Sequence, residues 1–224
     1  MGGIMMEYVK QPKEIEDKSM KIIRPYLEGM DLSEEEIAVY SRTIHASGDV
    51  EYAKLVTTSQ DAVAAGLNAL KNGADIYCDV EMVRTGINKK ALAQLGGEVF
   101  CQVSAPEIAE AAKAEGITRS IAAMRAYGKR LDGNIVAIGN APTALYEVLR
   151  LCSEENIRPV LIVGIPVGFV GAAESKEALV EQAPVPFVTV RGNKGGSPIA
   201  ASVINALLYL LVQRTQMLYI EPNK

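Results

Sequence analysis

The chain contains a single histidine, His45, and its neighbours are residue types that suit acid–base chemistry. His45 lies in the segment 42–49 (RTIHASGD), which also carries an arginine, small residues and a carboxylate. Imidazole gains or loses a proton near neutral pH, because its unperturbed pKa is about 6.5. A lone histidine is more often structural and chemically idle, but Gly48, Asp49 and the motifs farther along the chain favour a catalytic interpretation. If a histidine does proton chemistry in this protein, it must be His45.

Two glycine-containing loops follow apolar stretches and precede helical ones. The segment 139–144 (GNAPTA) contains Asn140, which offers both a hydrogen-bond donor and an acceptor, so it is either a tight turn alone or a turn that also contacts a ligand. The segment 191–197 (RGNKGGS) combines Arg191 and Lys194 with unpaired backbone N–H groups. This second loop predicts an anion site, for which a carboxylate is as good a guest as a phosphate.

The loop 164–171 has glycines at a spacing that differs from known nucleotide fingerprints. It reads Gly-x-x-x-Gly-x-x-Gly, whereas dinucleotide sites have Gly-x-Gly-x-x-Gly. We therefore interpret the backbone around Gly168 as a wall for a large flat ligand. Arg119 directly follows a helix cap at Thr118, where a cation is unfavourable for the helix dipole, so it serves either a ligand or an ion pair.

Composition limits the class of protein. The chain has 224 residues, a formal net charge of −4 and a pI of about 5.2, which disfavours nucleic-acid binding but leaves anionic small substrates open. The cysteines lie far apart and in no metal-ligand spacing, so we expect reduced thiols, no metal site and a cytoplasmic location. These cysteines are Cys78, Cys101 and Cys152.

Neither end of the chain predicts a targeting or membrane segment. Residues 1–6 are too short and too soon followed by charge for a signal peptide. The apolar stretch 206–212 is far below the roughly 20 residues of a membrane-spanning helix and predicts a buried helix.

Predicted helices and strands, which must position these residues, alternate along the chain. The first fifty residues are predicted helical over 12–30 and from Ser33 to about Thr43, with a capping box between Ser33 and Glu36, which places His45 just past a helix end. Strands are predicted at 54–57, 75–80, 98–103, 135–138, 159–163 and 187–190. Helices are predicted at 60–70, 89–95, 106–114, 118–130, 142–153, 174–181 and 197–213.

This alternation predicts one α/β domain over residues 1–224, with a parallel β-sheet flanked by helices on both faces and an N-terminal helical segment. Ligands of such sheets bind at the carboxyl ends of the strands. The polar and glycine-rich loops follow the predicted strands, so they are expected at one rim.

Taken together, these segments resemble the precorrin-8X methylmutase family of cobalamin biosynthesis. The matching pieces keep one order over nearly the whole chain: 42–49, 79–83 with Gly86 and Ile87, 139–145, 164–176 and 191–197. Each piece alone is weak, whereas the ordered set is specific.

The resemblance implies a Rossmann-like fold, a homodimer with its pocket near the subunit interface, and migration of a methyl group from C-11 to C-12 of a contracted tetrapyrrole. The histidine that matches His45 would protonate the macrocycle as the general acid. No cofactor would be needed, and any cobalt would be carried by the substrate. The candidate substrate-binding residues are Ser19, Arg42, Asp49, Arg84, Arg119, Asn140, Gly168, Arg191 and Lys194.

Several alternatives stay open at this point. Asp49 could hold the imidazole charged or could merely cap the following segment. A corrinoid-binding carrier without turnover would need the same pocket, and replacing His45 separates it from an enzyme. A nucleotide-dependent α/β enzyme using the loop around Gly168 would instead bind a nicotinamide cofactor or S-adenosylmethionine.

Overall fold

The computed structural model of the chain describes residues 9–212, and a six-stranded sheet lies at their centre. The strands are β1 (Val56–Thr58), β2 (Ile76–Cys78), β3 (Val99–Phe100), β4 (Ile135–Ile138), β5 (Leu161–Gly164) and β6 (Phe187–Val190). The helices are α1 (Pro12–Ile23), α2 (Glu34–Ser47), α3 (Tyr52–Leu55), α4 (Ala62–Lys71), α5 (Glu81–Gly86), α6 (Lys89–Gln94), α7 (Pro106–Glu115), α8 (Arg119–Tyr127), α9 (Pro142–Glu154), α10 (Ala172–Gln182) and α11 (Ser197–Leu211). The predicted α/β class and N-terminal helical segment are confirmed.

The sheet order is β1-β6-β5-β4-β2-β3, and five of the strands are parallel. The prediction of a parallel sheet is wrong for β1, which pairs antiparallel with β6 in the register Val56↔Val190. Strand β1 follows the short helix α3 and lies at the edge of the sheet, next to β6. The predicted strand at 54–57 therefore begins two residues too early.

The strand order reverses direction between β2 and β4. From β2 the chain moves outward to β3, whereas from β4 it moves the other way to β5 and β6. A topological switch point of this kind opens a crevice outside the carboxyl ends of the two strands, which is where open α/β sheets bind ligands.

Helices cover both faces of the sheet, because adjacent strand residues point to opposite sides. In β4, Ile135 packs into a cluster with α2, α4, α5 and α11, and Val136 packs into a second cluster with α8, α9 and α10. Both side chains are fully buried. The continuous apolar strands are thus explained by burial on both sides.

Helix α2 extends farther than the sequence suggests, and this moves the histidine. Its start is the predicted capping box, in which Ser33 Oγ accepts from the Glu36 N–H at 3.2 Å and Glu36 Oε2 accepts from the Ser33 N–H at 2.8 Å. Its end is Gly48 in the left-handed conformation, whose N–H donates to the Ile44 carbonyl at 2.9 Å. The prediction that the helix stops near Thr43 is wrong, and His45 lies inside its last turn.

Other boundaries shift for local reasons. The predicted helix 12–30 ends at Ile23 and continues as a 3₁₀ turn to Leu27, and the predicted helix 118–130 ends at Tyr127 before a similar turn. The predicted strand 75–80 is shorter, because Val80 already caps the short helix α5, which was not predicted. The segment 1–6 and the end of the predicted helix at Gln213 lie outside the described residues.

The loop after β4 packs too closely on its neighbours for any side chain at Gly139. A Cβ there would lie 2.5 Å from Val83 Cγ2 and 2.7 Å from Ser197 Cα. The beginnings of α5, α9 and α11 therefore meet at one point on the rim. Within residues 9–212, no helix is long and apolar enough to cross a membrane.

Candidate active site at the carboxyl rim of the sheet

His45 lies on the surface at the C-terminal end of α2, with its ring exposed to solvent. Its ring forms no hydrogen bond or ion pair with any residue in the range 9–212 that the structure describes. A structural histidine would be satisfied by such bonds. The placement therefore leaves both ring nitrogens available to a ligand.

The pKa of His45 is lowered from its ordinary value of 6.5. Partial burial is the larger cause, and the positive charge of Arg42 adds to it. The imidazole of the free protein is consequently mostly neutral at pH 7. A polyanionic ligand placed over it would favour the charged form, since opposite charges nearby stabilise an imidazolium.

The Asp49 carboxylate accepts hydrogen bonds from a backbone N–H and from a lysine, and none from the imidazole. Its Oδ1 accepts from the Glu51 N–H at 2.9 Å, and its Oδ2 accepts from Lys194 Nζ at 2.6 Å. The bond from Lys194 lowers the pKa of the Asp49 carboxyl. Within the described residues, Asp49 is bonded to the segment that follows it and to Lys194, an ion pair that the sequence did not indicate, and not to the imidazole.

The loop 191–196 joins the end of α2 to the rim of the sheet through Lys194. Lys194 Nζ also donates to Glu51 Oε2 at 2.5 Å, and these two carboxylates raise the pKa of Lys194. Because Asp49 follows α2 and the loop 191–196 follows β6, these bonds place His45 beside the carboxyl ends of the strands.

Arg191, in the same loop, is also paired, with Glu177 of α10 at 2.9 Å. Both cations of the predicted anion loop thus have carboxylate partners within the protein. A ligand carboxylate would have to exchange with these partners or bind to the backbone N–H groups.

The loop 164–171 lies directly against the loop 191–196. The Gly168 N–H donates to the Asn193 carbonyl at 3.2 Å, and Gly168 has φ +145°, a conformation that favours glycine. Next to it, Phe169 is 92% exposed and Val170 is 90% exposed. Two large apolar side chains are therefore held in water beside the segment that supports His45.

Asp79 is a residue whose role the sequence did not reveal. It follows β2, it is 1% exposed, and its carboxylate accepts three backbone N–H groups, from Gly139 at 2.9 Å, Asn140 at 2.9 Å and Ala141 at 2.7 Å. Burial raises the pKa of Asp79, and the three donors oppose this rise. An internal carboxylate thus occupies the switch point between β2 and β4.

Arg119 and Asn140 lie on the same rim. The hydroxyl groups of Thr118 and Thr143 are 3.1 Å apart, which ties the start of α8 to the start of α9. The Arg119 side chain is exposed and lines a cavity of about 440 Å³ between α7 and α8, and within the described range it forms no ion pair. Asn140, in the loop after β4, is exposed. Arg119 is therefore a cation open to a ligand.

The remaining candidate residues have internal partners. Arg42 pairs with Glu16 at 2.8 Å and lies over the Tyr209 ring, 5.4 Å from its centroid. Ser19 Oγ donates to the Ile15 carbonyl within α1 at 2.8 Å. Arg84 pairs with Glu81 of the same short helix at 2.6 Å. Their predicted contacts with a substrate stay predictions.

Within residues 9–212, no cluster of three or more His, Cys, Asp or Glu residues could hold a metal ion. The cysteines form no disulfides, and burial raises the pKa of Cys101 to about 11, so its thiol stays protonated. The fold and the site define an α/β protein that places one imidazole and several cationic side chains at the rim of a sheet.

Comparison with known proteins agrees with this class. The family model "Precorrin-8X methylmutase" matches residues 14–210. A cobalt-precorrin-8 methylmutase of Methanocaldococcus jannaschii is 42% identical over 93% of this chain and 96% of its own length. A precorrin-8X methylmutase of a Sinorhizobium species is 43% identical over 90% of this chain and 96% of its own length. The solved precorrin-8X methylmutase of Thermus thermophilus superposes with a TM-score of 0.79 at 38% identity, covering 88% of this chain and 96% of that one.

The chain belongs to the precorrin-8X methylmutase family. It is an intramolecular methyl-shifting isomerase of cobalamin biosynthesis, which confirms the family and the reaction class expected from the ordered motifs.

Replacing Asp79 by alanine should destabilise the protein by about 3 kcal/mol or more, because each buried N–H left without an acceptor costs about 1–3 kcal/mol. Urea denaturation followed by circular dichroism measures this change. Asp61→Ala is the matched control, since Asp61 precedes α4 and its side chain makes no capping bond. Equal stability of the two variants would contradict the assigned role of Asp79.

Proposed function

We propose that this protein moves the methyl group from C-11 to C-12 of precorrin-8 or cobalt-precorrin-8, with His45 as the general acid. The observation that supports this most is the exposed imidazole at the end of α2, unbonded within the described residues and held beside the rim through Asp49 and Lys194. A single well-placed acid typically accelerates a reaction by about a hundredfold to ten-thousandfold.

In the proposed mechanism, the imidazolium of His45 gives a proton to the macrocycle, the methyl bond to C-11 breaks, and a bond to C-12 forms in the same molecule. Substrate and product are isomers, so the proton taken up must later be released. An exposed imidazole is suited to this because it exchanges protons with water. The methyl group is already on the substrate, so the proposal includes no cofactor.

The rim supplies contacts of two kinds for a flat, polyacidic macrocycle. Arg119 supplies a cation without an internal ion-pair partner in the described range, and Asn140 supplies an amide. Phe169 and Val170 supply apolar surface, in agreement with the wall expected at Gly168. We assign Arg191 and Lys194 mainly to holding the loop 191–196, because both are already paired with carboxylates.

The proposed substrate is one of two molecules, precorrin-8 and cobalt-precorrin-8, which differ in whether the ring carries cobalt. A relative named for cobalt-precorrin-8 and one named for precorrin-8X are 42% and 43% identical to this chain, so similarity favours neither. The purified protein is to be incubated with each compound, and corrin formation followed by the change in absorption. Conversion of neither compound would overturn the proposed function.

The proposal includes a homodimer in the cytoplasm that binds neither nucleic acid nor membrane. Exposed apolar side chains on α1, its following turn and α5 support a dimer: Ile22 is 66%, Tyr26 53% and Met82 62% exposed. The free cysteines are consistent with a reducing compartment. The net charge of −4 disfavours binding to nucleic acid.

Replacing His45 by alanine should reduce kcat by at least a hundredfold while leaving pigment affinity within a few-fold, because the acid is lost and the pocket is kept. Single-turnover absorption kinetics and equilibrium titration with the product measure the two quantities. Ala46→Ser, a change in the same exposed turn, serves as the control. Unchanged kcat in the alanine variant would exclude His45 as the acid. Wild-type protein that binds the pigment without converting it would instead be a carrier without turnover.

The value of kcat/KM should fall as the pH rises through a midpoint below 6.5, because the acid must be protonated and burial together with Arg42 lowers the pKa of His45. The profile of kcat should have a higher midpoint, since bound substrate carboxylates favour the imidazolium. Tag-free protein has one histidine, so a single set of ring signals in an NMR titration gives its pKa independently. A kcat/KM that increases with pH over this range would contradict general-acid catalysis by His45.

Replacing Phe169 by serine should raise KM about tenfold or more with little change in kcat, because burying a phenylalanine contributes about 1.5–3 kcal/mol. Leu210→Ser, at a 41% exposed position at the end of α11, controls for the general loss of an apolar side chain. Light scattering of both variants gives their molecular mass. A halved mass with normal KM would assign Phe169 to a contact between subunits instead of the substrate.

A further inference from the structure

Lys176, in α10, is a buried lysine that the chemistry described above does not use. Its side chain is fully buried, at 0% exposure. Its ammonium donates to the carbonyl oxygen of Lys194 at 2.6 Å. Within the described residues it forms no ion pair, because the adjacent Glu177 is directed to Arg191. Lysines are almost never fully buried without a carboxylate partner, so this position calls for a specific reason.

The burial of this ammonium is unfavourable for stability. A charged group removed from water and given one neutral acceptor is poorly compensated. Burial accordingly lowers the pKa of Lys176 to about 8. A methionine of similar length would fill the same space without this penalty, so packing alone does not explain the residue.

The acceptor of Lys176 belongs to the residue that joins the loop 191–196 to α2. The Lys194 carbonyl faces inward to Lys176, whereas the Lys194 ammonium faces outward to Asp49 and Glu51. The next residue, Gly195, has φ +153°, and a Cβ there would lie 2.8 Å from the carbonyl oxygens of Ile165 and Pro166. The backbone of the loop is therefore fixed by contacts on its inner side. The orientation of the backbone at Lys194 in turn determines the direction of the Lys194 side chain.

We propose that Lys176 is a positioning residue for the methyl shift: its buried ammonium holds the Lys194 carbonyl inward, so that the Lys194 side chain keeps Asp49, and with it the end of α2 that carries His45, on the rim. This inference rests on the proposed function, since it assigns His45 as the group that must be placed. Lys176 itself does not touch the substrate, because its side chain has no exposed surface.

The decisive variant is Lys176→Met in the full-length, tag-free chain. We expect kcat to fall about tenfold, because a small displacement of a catalytic group is enough for such a loss. Stability in urea at pH 7 should be equal to or greater than that of the wild type, because the unfavourable burial of charge is removed. Product affinity should change less than threefold. Lys71→Met, which removes an exposed lysine from the last turn of α4, is the matched control.

The ring signals of His45 provide a readout that needs no substrate. As the single histidine of the chain, it should show shifted signals at pH 7 in Lys176→Met and unshifted signals in Lys71→Met. Lys176→Gln keeps a hydrogen-bond donor without the charge, so it should recover part of kcat and part of the wild-type shift. If the Lys176→Met variant does not fold, the Lys176→Gln variant supplies the same two measurements.

Wild-type kcat with unshifted ring signals would overturn the inference. A loss of stability that accounts for the loss of activity would overturn it as well, since Lys176 would then be structural. Failure of the proposed function can be distinguished from failure of the inference about Lys176. In the first case the wild-type protein converts neither tetrapyrrole, whatever the ring signals of the variants show.

Discussion

The candidate site depends on the contact between Lys194 and two carboxylates, Asp49 and Glu51, which are 145 and 143 residues away in the chain. Exposed ion pairs contribute little to the free energy of unfolding. Here they matter because they fix the relative positions of two segments. The contact fixes the end of α2 against the loop after β6. The buried residues of α2, such as Ile44, hold the helix against the core, and this contact adds a link from its end to the rim of the sheet. Lys176 supports this contact from the interior by holding the Lys194 carbonyl.

The charges of the rim fall into two groups with different tasks. Arg191 and Lys194 have carboxylate partners and stabilise the loops of the protein itself. His45 and Arg119 have no ion-pair partner among the described residues and are exposed. Only the second group can interact with an incoming ligand without breaking an ion pair of the protein itself. Partial burial and the nearby charge of Arg42 keep the pKa of His45 below its ordinary value.

Asp79 shows how the switch point of the sheet is used in this family member. Open α/β sheets commonly place a ligand anion on the backbone N–H groups at this position. Here the three N–H groups of the loop after β4 are satisfied by an internal carboxylate. The loop is thereby rigid, and the exposed Asn140 side chain is presented on a fixed backbone. These three N–H groups are therefore not available to a ligand anion.

The sequence by itself determined the class of fold, most of its elements, the capping box at Ser33 and Glu36, and the family, because these depend on local hydrophobic patterns and on motifs in a fixed order. It also singled out His45, because one histidine among such neighbours is visible without coordinates. Only the tertiary structure decided that β1 runs antiparallel, that Asp49 pairs with Lys194, and that Asp79 and Lys176 are buried beneath the rim. The physical reason is that pairing direction, ion pairs and burial join residues far apart in the chain, and no local pattern records which distant partner each one meets.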